Sequence, residues 1–130
     1  MMLIKSLIEE DCPSIYAYAS AKTARKMLDK HLYLLVLDEN DEYYGLLTCR
    51  DLINCSNLLI ADCVVPKKTV NEEDSLLETL HYMTEKRTEA LPVRSHDNEF
   101  LGVVSLSQLT RYLLKYTVHL ENRLKVESAT

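Results

Sequence analysis

Apolar and polar positions fall into blocks that occur twice along the chain. Residues 33–37 form an apolar run and residues 38–42 a polar one. Residues 43–48 are again mostly apolar, hold Gly45 and end in Thr48. The same succession returns over residues 90–105, with a polar stretch at 95–99, Gly102 and a closing Ser105, displaced by 57 positions without a gap. Short apolar runs bounded by polar turns predict paired strands. Upstream of each pair lies a stretch with helical spacing: residues 20–30, with Ala24, Met27 and Leu28, and residues 74–86, with Leu76, Leu77, Leu80 and Met83. These align if the first copy is two residues shorter before its strand. Ser14-Ile15 then falls on Thr69-Val70, and Asp74-Ser75 opens the second helix. Each unit reads as strand, helix, two strands, helix. The predicted fold is α/β (α+β), with tandem βαββα repeats packed pseudo-symmetrically.

The flanks complete the organisation: an N-terminal helix over 1–10, repeat 1 over 11–60, repeat 2 over 61–117 and a C-terminal helical extension over 118–130. Leu3, Ile4, Leu7 and Ile8 give the first helix an apolar face. Leu106, Leu109, Leu113, Tyr116, Leu120 and Leu124 carry an apolar stripe past the end of the repeat. Both faces predict a homodimer, because large exposed apolar patches are rare on monomers.

Composition narrows the function. The 130 residues are 47% hydrophobic with a net charge of −5, which disfavours a surface that tracks nucleic-acid phosphates. No apolar run is long enough to span a membrane and no signal-peptide pattern opens the chain, so a soluble cytoplasmic protein is expected. Cys12, Cys49, Cys55 and Cys63 form no CxxC pair and are expected to be reduced thiols. The four histidines never stand at i, i+4, and the acidic turns lack the EF-hand glycine and distal Glu, so no metal site is expected. No nucleophile has a base at motif spacing and two glycines cannot build a phosphate loop; an enzyme is not expected.

Gly45 and Gly102 occupy equivalent places, which fits either close packing inside the fold or backbone approach to a ligand. Thr48 and Asp51 stand at a helix start after a strand. The hydroxyl and free backbone N–H groups favour phosphate, an Asp one turn on can accept from ribose hydroxyls, and Arg50 adds charge between them. The same two residues also fit a capping box that needs no ligand. Ser105 and Gln108 are the equivalent pair, and for them capping is favoured.

The pattern GxxTxxD at Gly45, Thr48 and Asp51, with Glu89-Ala90-Leu91-Pro92-Val93, resembles CBS domains, over nearly the whole chain from residue 11 to 115. The resemblance implies a CBS pair (Bateman module) with clefts between its repeats for adenosine-containing ligands such as AMP, ADP or ATP. It places Thr48 and Asp51 opposite residues 63–68, with Cys63 on that wall, Lys68 the phosphate partner by charge, and Glu89 and Ala90 beside the nucleoside. Glu89 departs from the small polar residue usual there, which puts a triphosphate in doubt. The opposite cleft, with Ser105, Gln108, residues 12–15 and 33–35, lacks the Pro, the small residue and the Asp, so one competent site at most is expected. The function implied is a regulatory module that signals occupancy to an effector protein. The alternatives are a ligand-free interaction scaffold, or the cytoplasmic tail of a chloride channel or transporter.

Overall fold

The computed structural model describes residues 2–53, 55 and 58–129. Residues 54, 56 and 57 of repeat 1 and residue 130 of the C-terminal extension lie outside the described residues. The first unit runs β1 (Ser14–Tyr16), α1 (Ala21–Leu28), β2 (Tyr33–Leu37), β3 (Tyr43–Thr48), α2 (Cys49–Ile53). The second runs β4 (Val70–Asn71), α3 (Leu76–Lys86), β5 (Ala90–Arg94), β6 (Phe100–Ser105), α4 (Leu106–Ala129). Each makes a three-stranded sheet, ordered β1-β2-β3 and β4-β5-β6, whose first pair is parallel and second antiparallel.

The displacement read from the sequence recurs in the backbone. Val36 pairs with Gly45 and Val93 with Gly102, and a register shift follows each valine. Asp38 Oδ1 accepts from the amides of Asn40 and Glu42, and in the equivalent turn Ser95 Oγ accepts from those of Asp97 and Glu99. Asp41 and Asn98, at matching positions, adopt φ of 61° and 65°, a left-handed conformation that short polar side chains tolerate. Ser20 and Ser75 cap α1 and α3 by accepting from Thr23 N and Glu78 N. Ile15 and Val70 face Val36 and Val93, so the two-residue shift before the hairpin holds in the β1 and β4 registers.

Each unit has its own core, Leu34, Val36 and Leu47 with Ala24 and Leu28 in the first, and Leu91, Val93 and Val104 with Leu76, Met83 and Leu109 in the second. Between them lies a cluster of equivalents, Tyr33 with Ala90 and Leu46 with Val103. Tyr43 and Phe100, also equivalent, stack between the units with centroids 4.5 Å apart.

Two expectations change. The N-terminal helical segment is one 3-10 turn, Ile4–Leu7, and its apolar face does not wait for another chain. Ile4 is fully buried in the second core, with Leu7 and Ile8 packed against it. Its counterpart is a second 3-10 turn, Ile60–Asp62, whose Ile60 is buried in the first core. Each unit is thus entered by a lead-in that packs on the other unit. The second change concerns the cysteines. Cys55 and Cys63 form a disulfide across eight residues, while half-buried Cys12 and exposed Cys49 are free. A lone spacing of eight carries no sequence signature, and only the fold, which returns the 3-10 turn to the end of α2, brings the two Cα atoms to 5.6 Å.

Candidate functional site

Where β3 runs into α2, the chain faces residues 62–68 and the junction of α3 with β5, and a cleft of about 480 Å³ opens between the units. Of the residues expected there, Thr48, Arg50, Asp51, Cys63, Lys68 and Glu89 all line it. Ala90 is fully buried in the central cluster, and its neighbour Leu91 lines the cleft instead. The Cys63 sulfur is tied to Cys55, which also lines the wall.

The geometry of the Thr48–Asp51 pair combines both sequence readings. Thr48 N donates to Asp51 Oδ2 at 3.2 Å, so the carboxylate closes the helix start as a capping box does. Sequence reasoning missed Lys67, which approaches the same oxygen at 2.7 Å, with side chains 10% and 6% exposed for Lys67 and Asp51. The Lys67 ammonium also donates to Leu46 O at 2.8 Å and Val65 O at 2.7 Å. Lys68 instead lies over the Tyr82 ring at 4.5 Å, an exposed cation held at the rim. Arg87, in the left-handed conformation that ends α3, also lines the cleft, and its carbonyl accepts from Arg50 Nη1 at 3.1 Å. Neither Lys67 nor Arg87 announces itself: one is a Lys beside a Lys, the other a helix end without glycine. The cleft gathers Arg50, Lys67, Lys68 and Arg87 against Asp51, Asp62 and Glu89, a cationic excess in a chain of net charge −5.

The equivalent cleft is filled by the chain itself. Tyr33, at the place of Ala90, puts a phenol ring where the other unit has a methyl group. Its hydroxyl donates to Glu9 Oε2 and lies 3.5 Å from Cys12 Sγ. Ser105 Oγ donates to Glu9 Oε1 at 3.2 Å and accepts from Gln108 N at 3.2 Å. Ser105 and Gln108 therefore form the expected cap, and Glu9 takes the remaining polar contact. Burial, then the bonds to Cys12 and Glu9, push the Tyr33 phenol far above the usual tyrosine range. Burial likewise pushes the Cys12 thiol up. The backbone of Glu9 pairs with Val103 in both directions, at 2.8 and 3.0 Å.

Both glycines serve packing. A Cβ at Gly45 would lie 2.7 Å from Val64 Cγ1. One at Gly102, where φ is +146°, would lie 2.2 Å from Glu9 O. Each glycine admits the lead-in of the other unit.

Tandem units, swapped lead-ins and a cleft at the end of a GxxTxxD strand agree with what sequence comparison finds: the model of the CBS domain matches twice, over residues 4–57 and 60–115. The chain belongs to the CBS-domain family. Its CBS pair is 28% identical over 101 residues to a 17.7 kDa protein of Acidianus ambivalens, an alignment covering 72% of this chain and 62% of that one. In fold it is similar to CBSX2, solved in complex with AMP, with a TM-score of 0.75 and 17% identity, covering 90% of this chain and 99% of that chain. It is also similar to the CBS pair of protein MJ0100, solved with 5′-methylthioadenosine and S-adenosyl-L-methionine, with a TM-score of 0.73 and 19% identity, covering 89% and 98%. Among the described residues, no helix of this CBS pair is long and apolar enough to cross a membrane.

Proposed function

We propose that the chain is a cytoplasmic regulatory CBS pair that binds one adenosine-containing ligand of the AMP type in the Thr48–Asp51 cleft, and that it works as a homodimer that passes occupancy to an effector protein. The observation that carries this reading is the asymmetry of the two clefts. One is open, about 480 Å³, within the roughly 300–1,000 Å³ of small-molecule sites, and lined by three carboxylates and four cations. The other is closed by Tyr33 and Glu9. Asp51 Oδ2 is engaged by Thr48 and Lys67, and Oδ1 has no hydrogen-bond partner among the described residues, which suits it to ribose hydroxyls. Lys68, Arg50 and Arg87 suit a phosphate, while Glu89 and Asp62 limit the negative charge the cleft tolerates, favouring AMP over ATP. That CBSX2 and MJ0100 were solved with adenosyl ligands supports the same class.

Calorimetric titration with AMP, ADP, ATP and S-adenosylmethionine tests this. AMP is expected to bind more tightly than ATP. Asp51→Asn should weaken it roughly tenfold or more, because a charge-assisted bond to a hydroxyl contributes about 1.5–3 kcal/mol and a neutral one less. Gln108→Ala should leave affinity unchanged. Wild-type protein that binds none of the four at millimolar concentration points to the scaffold reading, which has its own support: Thr48 N and Lys67 already hold Asp51 Oδ2 without a ligand.

A further inference from the structure

We infer that Lys67 is a positioning residue for Asp51 rather than a ligand for phosphate, an inference that rests on the cleft reading above. An ammonium group has three protons. Here all three are directed to Leu46 O, Val65 O and Asp51 Oδ2, within 2.7–2.8 Å. The side chain is nearly buried, so reaching into the cleft would break its part-buried bonds to Leu46 O and to the Asp51 carboxylate. Its cation is therefore committed to the wall. What it does there is fix one carboxylate oxygen, so that Oδ1 is oriented before any ligand arrives.

The second unit of the same chain is consistent with this. By the register that pairs Ile15 with Val36 and Val70 with Val93, Cys12 stands where Lys67 stands, and by the 57-residue displacement Gln108 stands where Asp51 stands. Both members of the ion pair are replaced together, and they are replaced in the cleft that is closed. The lysine is absent where its carboxylate partner is absent. Cation and anion behave as one device.

The test separates the hydroxyl from the phosphate part of recognition. AMP, adenosine and 2′,3′-dideoxyadenosine 5′-monophosphate are titrated into wild type, Lys67→Met, Asp51→Asn and the double variant, with circular dichroism confirming that each is folded. The ratio of dissociation constants for the dideoxy compound and AMP reads the hydroxyl contribution, and that for adenosine and AMP the phosphate contribution. In Lys67→Met the hydroxyl ratio should fall by roughly threefold or more, a coupling typical of contacting residues, while the phosphate ratio stays put. Adding Lys67→Met to Asp51→Asn should change neither ratio. Where the lone Lys67→Met chain fails to fold, Lys67→Gln keeps donors for Leu46 O and Val65 O while removing the cation, and its hydroxyl ratio should fall likewise; the double variant, which strands no charge, tells a phosphate ligand from a wall cation. A collapse of the phosphate ratio in either background makes Lys67 a phosphate ligand and overturns the inference. Unchanged ratios in a folded Lys67→Met chain reduce it to a structural strut. Wild-type protein that binds none of the three compounds removes the cleft reading and this inference with it, whereas binding with unmoved ratios removes the inference alone.

Discussion

At Gly102 the absence of a side chain is enforced twice, by a φ of +146° that L residues rarely adopt and by a backbone carbonyl 2.2 Å from where a Cβ would stand. That carbonyl belongs to Glu9, whose pairing with Val103 anchors the lead-in of the first unit, so it cannot retreat without breaking two backbone bonds. At Gly45 the obstacle is the end of the Val64 side chain at 2.7 Å, which a rotamer change can move, and φ carries no penalty. Gly102→Ala is expected to destabilise by about 3 kcal/mol or more, at the upper end of single substitutions, and Gly45→Ala by about 1–2 kcal/mol. Chemical denaturation of both variants checks the order, and equal losses would show that the positive φ and the Glu9 carbonyl do not matter. The choice between packing and ligand approach could not be made from the sequence, because the residues that touch each glycine are 93 and 19 positions away along the chain. The same distance hid Lys67, whose value lies in three acceptors brought together from β3, α2 and its own strand-less wall.

Elements were far more legible than contacts. Alternating blocks gave both hairpins, down to matching turn residues, because strand and turn chemistry are local. Ser20 and Ser75 were readable as helix starts for the same reason. The lead-ins were not: Leu3, Ile4, Leu7 and Ile8 looked like a free amphipathic face, since nothing local says that Ile4 is buried beneath the other unit's helix. This swap has a functional consequence, because it brings Glu9 onto Ser105 and Tyr33 and fills the second cleft. One adenosyl ligand per chain is therefore expected. Titration should give a stoichiometry near one, and Ser105→Ala should leave the dissociation constant unchanged within about twofold, as expected of a residue distant from the ligand and sharing no partner with it. Two equivalent binding events per chain would mean that Tyr33 and Glu9 move aside readily, and the asymmetry argument would fall.

On the scale of the molecule, α4 is the feature the fold itself leaves unexplained. It runs 24 residues, about 36 Å, yet only its first two turns pack on the second core through Leu106 and Leu109. Every residue from 114 to 126 is exposed, including Leu114, Tyr116, Val118, Leu120, Leu124 and Val126. A helix of this length without tertiary packing is marginal in water, because most helical stability in proteins comes from burying an apolar face. Leu113, Tyr116, Leu120 and Leu124 continue at spacings of three and four, the seam a second helix of the same kind would cover. With the N-terminal turn already buried in its own chain, α4 is left as the surface through which two copies are proposed to meet. Sedimentation at micromolar concentration should therefore give twice the mass of the chain. Leu120→Asp with Leu124→Asp should give the monomer mass and lower helical content, while AMP affinity changes little, because the seam and the Thr48–Asp51 cleft share no residue. Wild type that sediments as a monomer, or a double variant that remains dimeric, would place the association surface elsewhere.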